Sequence, residues 1–200
     1  MTFKAVFFDL GGVIVRTEDR TPRTTLAERL GMTYEQMDKA VFAVKTSRDA
    51  SLGLITEEQH WDAVVAALKL PAEEKEAVRR EFFAGDAIDR TLLDFIRTLK
   101  PRYHTGVISN AWNGLRDYMI RQKFDDAFEQ IIISAEAGMM KPDARIYQLA
   151  LTKMNVAATE ALFVDDVIEN IEACRALGMT GIHFRSAEQV IQELKQVLQL

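Results

Sequence analysis

Five short runs of apolar residues constrain the fold of this 200-residue chain more than any other feature of its sequence. The runs lie at residues 5–8, 105–108, 130–133, 161–164 and 181–184. Continuous apolar runs of this length are typical of strands that are buried on both faces of a sheet. From residue 87 they alternate with amphipathic stretches, the first at 87–99, as helical crossovers between parallel strands do. The sequence therefore predicts an α/β fold with a parallel sheet.

The segment from residue 16 to residue 85 interrupts this alternation. It contains no strand-like run, and its spacing predicts only helices. These helices are expected at residues 24–30, 34–47, 56–68 and 72–83. A crossover between parallel strands needs only about a dozen residues. We therefore expect two units, an α/β core of residues 1–15 and 86–200 and an all-helical cap of residues 16–85 inserted after the first strand.

Polar residues follow four of the predicted strands at the point where each strand ends. Asp9 follows the first strand, and Ser109 and Asn110 end the second. The third leads into a loop that contains Lys141, and the fourth ends in the pair 165–166, two aspartates. Because the carboxyl ends of parallel strands meet at one edge of a sheet, we expect these side chains to converge there.

Convergence would place three carboxylates beside a single ammonium group. Like charges at close range raise one another's pKa or require a counter-ion. Carboxylate ligands suit Mg²⁺, which commonly bridges to a substrate phosphate. Lys141 and the Ser109 hydroxyl could then bind phosphoryl oxygens, and Asp9 would be free to act as a nucleophile.

Four segments of the chain resemble, in order, the four motifs of the haloacid dehalogenase-like (HAD) hydrolases: FFDLGGV, VISN, GMMKPDARIY and VDDVIEN. The resemblance runs essentially from end to end of the chain. The most similar branch has a helical cap after the first strand, as in sugar-phosphate phosphatases and the N-terminal phosphatase domain of epoxide hydrolases. The resemblance implies a Rossmann-like core and a cofactor, Mg²⁺.

The resemblance also implies a role for each motif residue. Asp9 would be the nucleophile that forms an aspartyl-phosphate. The metal ligands would be Asp9, the main-chain carbonyl of Gly11, Asp165 and Asp166, with Asn170 either behind these ligands or on the helix surface. Ser109, Lys141 and Asn110 would bind the phosphoryl group. Lys141 would also take part in catalysis, and Asn110 would act through its main-chain N–H rather than its side chain.

Gly11 departs from the family pattern. Phosphatases of the family usually carry a second Asp at this position, and it protonates the leaving group and later activates water. General acid–base assistance contributes roughly 10²–10⁴-fold to a rate. The absence of this Asp predicts a slow enzyme, an acid supplied by the cap, or a substrate with a good leaving group. It also predicts that aspartyl-phosphate accumulates.

Three functions are compatible with these residues. The first is a Mg²⁺-dependent phosphatase that acts on a small phosphorylated metabolite, such as a sugar phosphate. The second is a metal-independent 2-haloacid dehalogenase, for which the pair of aspartates at 165–166 would have no purpose. The third is a catalytically weak relative that binds phosphate or a protein partner. Trp112, just after the second motif, either lines the substrate pocket or packs against the cap.

Charge and cysteine content narrow the expected partners. A net charge of −5 provides no basic surface for nucleic acid or an anionic membrane. A single cysteine, Cys174, rules out an intramolecular disulfide. The apolar run near the N-terminus is too short to span a membrane. We therefore expect a cytoplasmic monomer or homodimer with a small phosphorylated substrate.

Overall fold

A computed structural model describes residues 2–200 and places a five-stranded parallel sheet at the centre of the molecule. Within these residues the chain forms seven strands: β1 (Ala5–Phe8), β2 (Val15–Thr17), β3 (Asp86–Ile88), β4 (His104–Ser109), β5 (Gln130–Ile133), β6 (Ala161–Asp165) and β7 (Thr180–His183). The central sheet has the order β5-β4-β1-β6-β7, and every neighbouring pair is parallel. Counted among themselves, these strands follow the Rossmann-like order 3-2-1-4-5. The predicted α/β fold is confirmed, and each predicted strand agrees to within one residue at either end.

Helices account for most of the remaining chain. The described residues contain eleven: α1 (Thr21–Arg29), α2 (Tyr34–Phe42), α3 (Lys45–Ser51), α4 (Glu57–Ala67), α5 (Lys75–Phe83), α6 (Arg90–Leu99), α7 (Leu115–Arg121), α8 (Ser134–Ala137), α9 (Ala144–Met154), α10 (Ile168–Ala176) and α11 (Ala187–Leu198). In the part of the chain that the structure describes, no helix has the length and apolar character needed to cross a bilayer.

The central sheet is covered on both faces. Val6 and Phe8 of β1 belong to a hydrophobic cluster built with α6 and α11. Ala5 and Phe7 point to the opposite face and belong to a second cluster, built with α9 and α10. All four β1 residues are fully buried. Burial on both faces explains why the strands have continuous apolar sequences rather than alternating ones.

A two-stranded antiparallel ribbon lies between the sheet and the helices of residues 21–83. β2 pairs with β3, so that Val15 faces Ile88 and Thr17 faces Asp86. The expectation that residues 16–85 contain no strand is therefore wrong at its first two residues. The predicted helix at 87–99 begins only at Arg90, because residues 86–88 form β3 and the Asp89 side chain caps the helix by accepting a hydrogen bond from Leu92 N–H.

The helix predicted at 34–47 is also wrong, since it is divided into α2 and α3. Val44 adopts an extended backbone conformation (φ −109°, ψ 157°) and ends the helical path between them. α3 therefore takes a new direction and buries Ser47, Ala50 and Ser51. Neither glycine nor proline marks this break in the sequence.

The helices of residues 21–83 pack around a third hydrophobic cluster. Leu26, Met37, Trp61 and Phe82 are among its fully or almost fully buried members. The buried Arg23 guanidinium lies over the Phe82 ring, 3.9 Å from its centroid, and forms hydrogen bonds with residues of α2, α5 and the ribbon. The division of the chain into a core of residues 1–15 and 86–200 and a cap of residues 16–85 stays a prediction.

Candidate active site

The site begins at the point where the strand order reverses. β1 and β6 are neighbours, with Phe8 beside Val164, and the ladder continues past β1 through a 2.8 Å hydrogen bond from Asp9 N–H to the Val164 carbonyl. Asp165 is the last residue of β6. The sheet therefore fixes Asp9 and Asp165 side by side at its carboxyl edge, where open α/β sheets bind ligands.

Lys141 bridges these two carboxylates. Its Nζ lies 2.9 Å from Asp9 Oδ1 and 2.6 Å from Asp165 Oδ2. The side chains of Lys141 and Asp165 are fully buried, and that of Asp9 is 11% exposed. An ion removed from water at such a site is tolerated only with a close partner, so each charge in this group depends on the others.

Asp166 adds a third carboxylate. Carboxylate oxygens of Asp9, Asp165 and Asp166 lie within 4.8 Å of one another. Gly12 approaches Asp166 so closely that a Cβ at position 12 would lie 2.2 Å from Asp166 Oδ2. Gly12 also has φ +77°, in the left-handed region that favours glycine. The backbone conformation at position 12 therefore favours glycine, and a larger residue there would also displace the Asp166 carboxylate.

The electrostatics of this cluster favour a cation. Burial raises the pKa of Asp9 to about 6, with Lys141 opposing the rise and Asp165 adding to it. Burial, and then Asp165, also raises the pKa of Asp166. Lys141 offsets only one of the three negative charges. Because all the available donors are oxygens, the cluster fits a hard divalent ion such as Mg²⁺, and Asp9, Asp165 and Asp166 could hold it.

Asn170 orients Asp165. Its amide Nδ2 lies 3.1 Å from both carboxylate oxygens of Asp165, and the Val167 N–H donates to Asp165 Oδ1 at 2.7 Å. Asn170 is only 5% exposed, so its side chain does not lie on the solvent-facing surface of α10. Its side chain contacts a candidate metal ligand from behind.

The side chain of Asn110 has a role that the sequence did not predict. Its side-chain oxygen accepts a hydrogen bond from Lys141 N–H at 2.8 Å, and its amide nitrogen donates to the Lys141 carbonyl at 2.9 Å. The side chain therefore fixes the loop that carries Lys141. Ser109, the residue before it, ends β4 and is 3% exposed.

Ser134 is a second residue that sequence reasoning missed. It is fully buried at the start of α8, directly after β5. Its hydroxyl accepts a hydrogen bond from Ala111 N–H at 3.0 Å and donates one to the Ala111 carbonyl at 3.2 Å. The sequence signal that could have identified it is its place as the polar last residue of the buried run IIIS. This contact holds the loop after β4 against the third strand end.

A cleft of about 990 Å³ opens beside the carboxylates. Leu10, Gly11, Asn110 and Ala111 line the end nearest the strands, and helices of residues 21–83 line the other side. Trp112 was expected either to line a substrate pocket or to pack against the helices of residues 16–85, and it does both. It lines the cleft, and its indole N–H donates to the Ser47 carbonyl of α3 at 3.3 Å.

The sequence resembles those of known hydrolases and phosphatases. The model of the haloacid dehalogenase-like hydrolases matches residues 3–178. A sesquiterpene phosphatase of Aspergillus oryzae is 28% identical over 207 residues, which cover 98% of this chain and 97% of that protein. A glyceraldehyde 3-phosphate phosphatase of Pyrococcus abyssi is 29% identical over 91% of this chain and 81% of its own length.

A solved structure has the same fold. It is a HAD family enzyme of Bacteroides thetaiotaomicron in complex with magnesium and inorganic phosphate, and it superposes with a TM-score of 0.75 at 21% identity. The similarity covers 92% of this chain and 94% of that one.

The two adjacent glycines should respond differently to substitution. Gly12→Ala should lower the free energy of unfolding by about 1–3 kcal/mol, because alanine must adopt the left-handed backbone and displace the Asp166 carboxylate. Gly11→Ala is the matched control, since a Cβ at Gly11 meets no atom within 4 Å. It should change stability by less than about 0.5 kcal/mol in urea unfolding. Equal effects of the two substitutions would show that the loop is not constrained as described.

Proposed function

The chain belongs to the haloacid dehalogenase-like hydrolases, and we propose that it is a Mg²⁺-dependent phosphatase that cleaves a small phosphomonoester through an aspartyl-phosphate on Asp9. The buried cluster of Asp9, Lys141 and Asp165, with Asp166 beside it, carries this proposal. The phosphatase relatives and the magnesium and phosphate complex of the Bacteroides enzyme support it.

Asp9 is oriented for attack on phosphorus. Its Oδ1 accepts a hydrogen bond from Leu10 N–H at 2.7 Å and lies 2.9 Å from Lys141 Nζ. We therefore assign the attack to Oδ2. An Oδ2–P bond forms, the ester P–O bond breaks, and the alkoxide or phenoxide leaves with the bonding electron pair. Lys141 opposes the rise in the pKa of Asp9 that burial causes, and so favours the carboxylate form that attacks.

The remaining residues neutralise and position the phosphoryl group. Asp9, Asp165, Asp166 and the Gly11 carbonyl would hold Mg²⁺, which when bound offsets the charge of the phosphoryl oxygens. The Lys141 ammonium and the Ser109 hydroxyl would bind those oxygens. Asn110, through its two hydrogen bonds to the Lys141 backbone, keeps the ammonium at the strand ends.

The second step is hydrolysis of the aspartyl-phosphate. Water attacks phosphorus, the bond to Asp9 breaks, and inorganic phosphate leaves. The electron pair of the broken bond returns to the Asp9 carboxylate, and the proton of the water passes to solvent, because position 11 carries no side chain that could accept it. The same position cannot protonate the departing ester oxygen, so both steps are slowed, and the first step depends on the acidity of the leaving group.

The alternative is a metal-independent dehalogenase. Attack by Asp9 on carbon would displace a halide and would need no cation. The excess of carboxylates over ammonium groups in the cluster favours the phosphatase, because a dehalogenase would bear the electrostatic cost of three neighbouring carboxylates without using it.

Turnover of p-nitrophenyl phosphate tests the proposal. The native chain should release p-nitrophenol slowly with Mg²⁺ and not after EDTA treatment. Asp9→Asn should abolish release, because an amide is not a nucleophile, while the exposed Asp117→Asn should leave it unchanged. Turnover by Asp9→Asn would contradict the proposal, and halide release from 2-chloropropionate in EDTA would establish the dehalogenase.

Gly11→Asp should restore the missing proton transfer. A side chain at position 11 has free space, and general acid–base assistance should raise the steady-state rate by about 10²–10⁴-fold. The native chain should show a pre-steady-state burst approaching one p-nitrophenol per chain, because aspartyl-phosphate accumulates. Gly11→Asp should reduce that burst, and Gly11→Asn, which cannot transfer the proton in the same way, should behave like the native chain. A native chain with no burst, and no gain in Gly11→Asp, would overturn this account of position 11.

A further inference from the structure

The cleft beside the carboxylates is larger than a small polar substrate requires. Its volume is about 990 Å³, at the upper end of the roughly 300–1,000 Å³ of pockets that enclose drug-sized ligands. Leu10, Gly11 and Asn110 line it, and these residues adjoin Asp9 and Ser109. The cleft therefore lies next to the candidate phosphate site, since Asn110 also holds the Lys141 backbone, and the organic part of a bound phosphomonoester would extend into it.

Apolar and aromatic side chains line the cleft between the helices and the strand ends. Phe42, at the end of α2, is 45% exposed, a large unprotected surface for a phenylalanine. It stacks on Trp112, with ring centroids 5.9 Å apart and an interplanar angle of 29°. Phe83, Leu115 and Tyr118 also line the cleft. Together these side chains form an apolar surface in the same cleft as Leu10, Gly11 and Asn110, and we call this surface the aromatic wall.

Four of the seven charged side chains that line the cleft are already paired, and the other three, Glu76, Arg80 and Arg121, are exposed to solvent. The carboxylates of Glu57 and Glu58 both form ion pairs with Arg79. Asp86 accepts a hydrogen bond from Thr17 at 2.6 Å and one from Arg23 at 3.3 Å. A sugar would need free donors and acceptors for its hydroxyl groups, and these paired groups would have to give up their partners to provide them.

We propose that the substrate is a phosphomonoester of a hydrophobic alcohol or phenol, with its hydrocarbon group packed against the aromatic wall and its phosphate at Asp9. The inference rests on the proposed phosphatase function and names the substrate class for the same site. Binding energy comes from burial of the hydrocarbon, and Phe42 and Trp112 determine the preference for apolar over polyhydroxylated groups.

Calorimetric titration with alkylphosphonates tests the substrate class without requiring turnover, because the C–P bond is not hydrolysed. In the presence of Mg²⁺, hexylphosphonate should bind at least about tenfold more tightly than methylphosphonate. Each methylene that is fully buried contributes roughly fourfold in affinity, and the wall should bury several. Glucose 6-phosphate, titrated into the inactive Asp9→Asn chain alongside hexylphosphonate, should bind more weakly than the alkyl compound.

Substitutions in the aromatic wall show whether the preference for hexylphosphonate over methylphosphonate depends on Phe42. Phe42→Ala should reduce the ratio of hexyl to methyl affinity at least about threefold, and Phe42→Leu, which retains apolar surface, should preserve most of it. Leu54→Ala is the matched control, because Leu54 is 70% exposed in the loop between α3 and α4 and does not line the cleft.

The possible outcomes separate this inference from the function on which it rests. Equal affinity for the two phosphonates, tighter binding of glucose 6-phosphate, or the same loss in Phe42→Ala and Leu54→Ala would overturn the apolar substrate class while leaving the phosphatase intact. If methylphosphonate and hexylphosphonate both fail to bind, the phosphate site itself is wrong and the substrate class is overturned with it.

Discussion

The buried contact of Lys141 with Asp9 and Asp165 is the interaction on which the rest of the site depends. Three charges lie where water is almost excluded, and each is tolerated only because an opposite charge lies within 3 Å. The neighbouring hydrogen bonds maintain this contact. Asn110 fixes the backbone of Lys141, and Asn170 fixes the carboxylate of Asp165. One lysine nevertheless does not balance three carboxylates, and these carboxylates could hold a cation.

In the proposed mechanism, chemistry and specificity belong to different parts of the fold. The strand ends supply the carboxylates, the ammonium and the hydroxyl, and the parallel sheet fixes their positions with little freedom. The helices of residues 21–83 supply one side of the cleft, where Phe42 and Phe83 meet Trp112 from the loop after β4. The same phosphoryl chemistry could therefore serve a different substrate if only the helices changed.

Sequence reasoning predicted the parts of this site that depend on strand ends. The apolar runs were distinct, and parallel strands bring their ends together whatever the helices do, so Asp9, Asp165 and Lys141 could be placed near one another. The side-chain role of Asn110 could not be predicted, because it depends on the path of a loop that lies 31 residues away. The ribbon was missed because strands of three residues carry almost no periodic signal. The aromatic wall joins residues from three separate segments, at Phe42, Phe83 and 112–118, and only tertiary packing assembles it.

Direct measurement of metal binding tests the central claim, that the carboxylate cluster is a cation site. Calorimetric titration of the native chain should show one Mg²⁺ per chain and a higher affinity for inorganic phosphate once Mg²⁺ is bound. Asp166→Asn, which changes the most exposed of the three candidate ligands and should not disturb folding, should weaken Mg²⁺ binding at least about tenfold, and Asp117→Asn should not. A native chain that binds no Mg²⁺, or an Asp166→Asn chain that binds it equally well, would contradict the account.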